Sequence, residues 1–497
     1  MMNEELKNKT VFLLTIDALR ADHLKSYGYH RNTAPNMEQF ISQGSTFLNA
    51  ISNGPETPSS FSSIFTSKLP FSEGGYSPLP LNKTTLPQIL KKNGVFTYGI
   101  HSNPHLGAFF NYNQGFQIFL DGERYKLEFN KPTKITLKNL LSLNIRKLLN
   151  FRNLSRKITY RLRAFNNIKH LIRSKFPFLT EIFLPFLSIA YDAKYITRKI
   201  TTFIQDYKGP LFLWAHFMDV HSPFNPPSKN ILNFRESDIR YLKREYLNEF
   251  VRVKPGEYNP TKNLINDLKD LYDGGINFLD ESLAKLFKFI RKNYQENCLL
   301  IITADHGESF YEHGYFHHTG SIYDENLKVP LYIVNFDKEP QIKIIDLMVQ
   351  LRDLPATILD YFGIKKPQDI QGKSLLPLIY GDSDQGEKYV ISECFQKDGK
   401  IKRNHKEGYI LLSIRTHKWK YIFDEEKNLE YLFNLSIDPL EKNNLINKSQ
   451  KELTEFRELR DYHLLNVKDS EEKLKILRSV SNLNLSKNEM IHNKKRK

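Results

Sequence analysis

Only two cysteines, Cys298 and Cys394, occur in 497 residues. That excludes a disulfide framework and any zinc site built on several thiolates. No run approaches the roughly 18 consecutive apolar residues that a membrane-spanning helix needs. The first apolar stretch, VFLLTI at 11–16, is far shorter. The leading MMNEELKNKT has no apolar core of the kind a secretory signal carries, so the expectation is a cytoplasmic chain. Acidic residues are scarce in one region. Between Arg124 and Thr180 stand 15 Lys and Arg against a single acid, Glu128, a local charge of +14 in a chain whose total is +16. The basicity therefore belongs to one segment. Apolar and aromatic side chains are plentiful, at 40% and 13% of the residues, which supports a substantial core and excludes a disordered chain.

Those apolar residues come in short runs. VFLLTI (11–16), VFTYGIHS (95–102), LFLWAHFMD (211–219), LLIITADHG (299–307) and VPLYIVNF (329–336) read as strands. Residues 37–43 read as a helical stretch, and TTLPQILKKNG (84–94) as a helix with a Gly stop. A long helix is expected over 266–293, where Leu268, Leu271, Ile276, Leu279, Leu283, Leu286 and Ile290 recur along one face. Strands alternating with helices predict an α/β fold with a largely parallel sheet. From about residue 391, YVISE, YILLSIRTHKWKYIFD and LEYLFNL read as short strands of a small antiparallel unit. Polar residues of interest stand where strands end: Asp17, His216, His221, Asp305 and His306. Ligands of open α/β sheets sit beyond the carboxyl ends of the strands. One Asp-His pair closing a buried strand is either a solvated turn or part of a site; repetition over several strand ends favours the site.

The order of the longer motifs narrows the reading. TIDALRADHLKSYGY (15–29), NPHLG (103–107) with QGF (114–116), and LYDGGINFLDESLAKL (271–286) are followed by TADHGESFYEHG (303–314) and SIYDENLKVPL (321–331). LRDLPATILDYFGI (351–364), GKSLLPL (372–378), SIRTHKWKYI (413–422) and LFNLSIDPLEKNNL (432–445) come after. Together they resemble the sulfatase family of the alkaline-phosphatase superfamily. The resemblance implies an alkaline-phosphatase-like three-layer α/β/α sandwich with a mixed, mostly parallel sheet, plus a small C-terminal antiparallel β subdomain. It also implies one divalent metal ion, manganese, zinc or calcium, held by Asp17, Asp305 and His306. The family's second Asp is Ala18 here. With one carboxylate fewer and the imidazole kept, manganese or zinc suits the cradle better than calcium.

The nucleophile is the main departure from the family. Its Cys-x-Pro-x-Arg, whose Cys is oxidised to formylglycine, is replaced by PETPSSFSSIFTS (55–67). Thr57 takes the Cys place and Phe61 the Arg place, so no formylglycine can form. Thr57 resembles the threonine nucleophile of the phosphatase and phosphotransferase branches, and is expected on the metal as well. A Thr hydroxyl is weak alone and is activated by metal coordination. Glu56, Ser59 and Ser60 are the alternatives, and Thr57 before Pro58 is also a favoured helix cap. His221 resembles the family His that contacts the ester oxygens or protonates the leaving group. His105 matches a family position, but its Lys partner is Asn103. His318 stands beside Thr319, where the family has a second Lys. Thr57, His221, His105 and His318 are thus the expected catalytic residues. Asn103 and His216 are expected to bind substrate, with structural hydrogen bonding as the other reading of His216.

Within 143–192, Ile158, Leu162, Phe165, Ile168 and Ile172 fall at helical spacing, interleaved with Arg156, Lys157, Arg161, Lys169 and Arg173. Such a segment can contact an anionic membrane peripherally through 140–175. It can equally bind an anionic polysaccharide or cover the rim of a site. No recognised motif points to a specific nucleic acid. The expected organisation is a catalytic α/β domain at 8–380, interrupted by a basic helical insertion at 123–205. A C-terminal subdomain at 388–465 and a charged tail at 466–497 follow. The expected activity is metal-dependent hydrolysis of sulfate or phosphate esters, with Thr57 attacking sulfur or phosphorus. The alternatives are a phospho-group transferase acting on a lipid-linked or glycan acceptor, and a silent binder of anionic glycans or lipids.

Overall fold

The computed structural model describes residues 8–72, 76, 78–81, 84–122, 191–235, 259–294, 296–318, 320–397, 400–402 and 407–465. Segment 140–175, most of the expected insertion and the tail at 466–497 lie outside the described residues.

An eight-stranded sheet forms the centre. Its strands are β1 (Thr10–Ile16), β2 (Ser45–Ile51), β3 (Phe96–Ile100), β4 (Ile118–Leu120), β5 (Leu211–Phe217), β6 (Cys298–Ala304), β7 (Lys328–Asn335) and β8 (Ile344–Gln350). They lie in the order β4-β3-β5-β1-β6-β7-β2-β8. All neighbours are parallel except β7, which runs antiparallel to both β6 and β2. Every residue of β1, β5 and β6 is buried. Strands covered on both faces can be apolar throughout, which is why TVFLLTI and CLLIITA read as continuous runs.

Helices cover both faces. α1 (Pro35–Ile41), α4 (Ala193–Asp206) and α5 (Lys262–Asn293) pack together on one side, and α2 (Thr57–Thr66), α3 (Leu86–Lys92) and α6 (Leu354–Phe362) on the other. The chain therefore has the three-layer α/β/α architecture. α4 ends the stretch expected to be an insertion, yet its Ile196, Ile200 and Ile204 belong to the main core. α5 docks α1 by a buried carboxylate: Asp280 accepts from the backbone N–H of Asn36 at 3.0 Å and of Met37 at 2.7 Å.

The second sheet is antiparallel throughout, with β9 (Val390–Lys397), β10 (Lys400–Lys402), β11 (Tyr409–Arg415), β12 (Trp419–Asp424) and β13 (Leu429–Asn434) in the order β10-β9-β11-β12-β13. A closing helix, α7 (Gln450–Leu465), packs against it through Leu453 and Phe456. The second core joins this unit to the first. Ile51, Phe71, Leu327 and Met348 share one apolar cluster with Phe395, Leu412 and Tyr421. Among the described residues no helix is long and apolar enough to cross a membrane.

Candidate active site

Register decides where the polar residues gather. Ile16 on β1 pairs with Ala304 on β6, and Thr15 pairs with His216 on β5. Asp17 and Asp305 therefore leave adjacent strands at the same level. Asp17, Asp305 and His306 are fully buried, and their ligand atoms all lie within 4.8 Å of one another. Among the described residues this is the group of carboxylates and imidazoles able to hold a metal ion.

Hydrogen bonds divide each of the two carboxylates into an occupied and a free half. Asp305 Oδ1 accepts from the N–H of His306 at 3.0 Å and of Ala18 at 3.3 Å. Asp17 Oδ2 accepts from Asn103 Nδ2 at 2.7 Å and faces His216 Nε2 at 3.0 Å. Asp305 Oδ2 and Asp17 Oδ1 are buried with no hydrogen-bond partner among the described residues. His306 Nδ1 faces the Gly307 carbonyl at 2.8 Å, so Nδ1 carries the proton and Nε2 keeps its lone pair. That Nε2 lies 3.5 Å from Asp17 Oδ1 and 3.6 Å from Asp305 Oδ2. Two unpartnered carboxylate oxygens and one imidazole nitrogen, which Thr57 Oγ1 approaches to 3.3 Å, thus converge. Such a set fits a divalent cation and leaves costly orphaned groups without one.

The electrostatics agree. Burial, then the neighbouring Asp17, pushes the Asp305 carboxyl up to about 7. Burial also acts to raise Asp17, but His221, His216 and His306 outweigh it and hold Asp17 well below the usual carboxylate range. Burial lowers His306, leaving it neutral and able to ligate.

Thr57 enters the cluster at the first turn of α2. Its Oγ1 lies 3.3 Å from His306 Nε2, 3.4 Å from Asp17 Oδ2 and 3.3 Å from Asn103 Nδ2. It is not the helix cap. Glu56 is, and its Oε1 accepts from Ser59 N at 3.2 Å. Burial, with Asp305 and Asp17 adding to it, pushes Glu56 up to about 8. The remaining alternatives to Thr57 are engaged elsewhere: Ser59 Oγ donates to the Glu56 carbonyl at 3.0 Å, and Ser60 Oγ to the Asp305 carbonyl at 2.7 Å. Phe61, in the place of the family Arg, is fully buried with its ring 4.9 Å from that of His216.

The other expected residues sit at different depths. His216 is fully buried, its Nδ1 3.0 Å from Thr15 Oγ1 and its Nε2 3.0 Å from Asp17 Oδ2. Asn103 is buried between Asp17 and Thr57. His221 leaves the loop after β5; its Nδ1 faces the Ser222 carbonyl at 2.5 Å and its Nε2 lies 3.9 Å from Asp17 Oδ1. Burial works to lower His221, but Asp17 and Glu308 outweigh it and raise it above the ordinary histidine value. His318 has its ring centre 4.2 Å from that of His306, tilted, and 5.3 Å from that of His221, edge-on. His105 is exposed.

Glu308 escaped the sequence reading as a site residue. It is buried, neither carboxylate oxygen has a hydrogen-bond partner, and Oε1 lies 3.4 Å from His318 Nδ1. Its signal was its place in Asp-His-Gly-Glu, one step past the glycine. Gly307 itself is needed by close approach: a Cβ there would lie 2.0 Å from the Glu325 carbonyl oxygen.

Comparison with known proteins completes the description. Residues 9–364 match the family model described as Sulfatase, and residues 311–466 that described as N-sulphoglucosamine sulphohydrolase, C-terminal. The arylsulfatase of Clostridium perfringens is 28% identical over 270 residues, covering 52% of this chain and 53% of that protein. The chain thus spans about half the length of that curated relative. A structure described as in complex with its substrate D-glucosamine-2-N,6-O-disulfate is similar with a TM-score of 0.66 at 16% identity, covering 94% of this chain and 99% of the other. The phosphonate monoester hydrolase of Agrobacterium radiobacter gives 0.65 at 15% identity, with coverages of 92% and 95%. These two likenesses establish the fold.

Proposed function

The chain belongs to the sulfatase family, and from that premise we propose a metal-dependent hydrolase of sulfate or phosphate esters with Thr57 as its nucleophile. The observation that carries this reading is the seat of the Thr57 hydroxyl. It lies 3.3 Å from His306 Nε2 and 3.4 Å from Asp17 Oδ2, beside the unpartnered Asp17 Oδ1 and Asp305 Oδ2. A divalent cation held by Asp17, Asp305 and His306, with Thr57 beside it, would supply the charge that acidifies the hydroxyl and steadies the ester oxygens. Manganese or zinc matches two carboxylates and an imidazole better than calcium, which takes about six to eight oxygen ligands.

The protein's own groups divide the remaining work. Thr57 Oγ1 gives up its proton to solvent, attacks sulfur or phosphorus in line, and the bond to the leaving oxygen breaks. His221 protonates that oxygen through Nε2, since its Nδ1 is held by the Ser222 carbonyl. Asn103 donates to Asp17 and lies within hydrogen-bond reach of Thr57, which fixes the angle of approach. His105, two residues past the first family Lys position at Asn103, and His318, next to the second at Thr319, line the path of the anion. Water then opens the threonyl ester at sulfur or phosphorus. A threonyl ester has no route through its own C–O bond of the kind formylglycine offers, which favours phosphorus. An acceptor hydroxyl in place of water would give phospho-group transfer, a second reading that the same Thr57 supports. The names of the similar proteins span sulfate esters and a phosphonate monoester, so both elements belong in the assay.

Turnover of paired aryl sulfates and aryl phosphate mono- and diesters, with manganese, zinc or calcium, tests the proposal. Thr57→Ala should lose on the order of 10⁴-fold or more in turnover of whichever ester is cleaved. Wild-type rates in Thr57→Ala, or no turnover of any ester by the unaltered protein, would refute it.

A further inference from the structure

The turn that carries Asp17 out of β1 is held by a side chain that touches none of the candidate metal ligands. Ala18 has φ 57°, in the left-handed region that L-residues other than glycine seldom adopt. That conformation aims its N–H at Asp305 Oδ1, 3.3 Å away. With the N–H of His306 on the same oxygen, both donors fall on Oδ1 and Oδ2 is left free. The brace comes from α5. Tyr272 Oη donates to the Ala18 carbonyl at 2.7 Å and accepts from the N–H of Arg20 at 2.7 Å. Its ring is fully buried among His23, Phe224 and Phe310.

We propose that Tyr272 is a positioning residue for the divalent cation: its hydroxyl locks the Ala18 turn so that Asp305 presents one occupied and one free oxygen. The inference rests on the metal reading given above. Partners in the layer behind metal ligands commonly set affinity by 10- to 100-fold. Tyr272 acts one bond further out, by holding the backbone that holds the ligand.

Tyr272→Phe keeps the ring and removes the oxygen. Titration of the full-length, metal-free protein with Mn²⁺, followed by calorimetry, should show affinity falling by roughly 10-fold or more. The thermal midpoint of the metal-free protein should stay close to that of the unaltered chain. Tyr332→Phe is the control, because that buried hydroxyl pairs with Ser26 Oγ at 2.6 Å, away from the cluster, and its loss should leave Mn²⁺ affinity unchanged. Unaltered affinity in Tyr272→Phe overturns the inference. So does an equal loss in both variants, or a loss matched by a collapse of the metal-free midpoint. An unaltered protein that binds no divalent cation would instead overturn the metal reading, and this inference with it.

Discussion

Asp305 has one oxygen spent on two backbone N–H groups and one left without a partner. Replacing it by Ala removes a buried carboxylate that is costly without a cation, so the fold should survive while the site does not. Metal analysis of purified Asp305→Ala should show stoichiometry at background, with turnover lower by several orders of magnitude; undiminished metal content would contradict the assignment. Asp17 and Asp305 each follow directly on an apolar run and His306 follows Asp305, which is why the sequence singled out the three that the structure brings together. The roles of His216 and Asn103 were not legible there. His216 was open between substrate binding and structural hydrogen bonding, and its place in β5 beside Thr15 sets it against Asp17. Asn103 looked like a lost lysine, and its amide instead ties Asp17 to Thr57. Such pairings depend on strand register and loop path, which residue order alone does not supply.

At the scale of elements, the exit of β6 is the tightest point of the site. Gly307 donates its N–H to the Asn326 carbonyl at 2.8 Å, and an added Cβ would lie 2.0 Å from the Glu325 carbonyl oxygen. Both contacts are backbone and cannot swing aside. Gly307→Ala should cost at least about 1–3 kcal/mol, the usual range for overpacking. It should also weaken metal binding, since His306 is adjacent. Thermal unfolding and metal titration of the variant check both; a wild-type midpoint would show that the segment 324–327 yields freely. β1, β5, β6 and the long α5 were readable from continuous apolar runs and from helical spacing. β2 and β8 escaped notice. Their burial is broken by partly exposed residues, and both ladders in which β2 takes part shift register. The alternative of Thr57 as the cap of α2 falls one residue late, because Thr-Pro is a good cap pair and nothing in the sequence shows that Glu56 is buried there.

Across the whole molecule, one apolar cluster spans the two sheets, so the C-terminal unit completes the core of the first. Its ion pairs reinforce the join: buried Lys420 reaches Asp324 at 2.8 Å and Glu441 at 2.9 Å. The α/β class with a largely parallel sheet and the antiparallel addition followed from the alternation of strand and helix patterns and its change near residue 391; the three-layer sandwich was what the family resemblance implied. The concentrated charge is a separate matter. The net +14 between Arg124 and Thr180 predicts co-sedimentation with anionic but not neutral vesicles, weakened by salt, and abolished by deleting 140–175. Binding that persists in the deletion would place the anchor elsewhere. The reaction itself is tested most directly by covalent labelling of the full-length chain. After brief exposure to a cleavable aryl ester and rapid quenching, peptide mass analysis should place a phosphoryl or sulfuryl adduct on Thr57. An adduct on Glu56, Ser59 or Ser60, or rapid turnover by Thr57→Ala, would contradict the account.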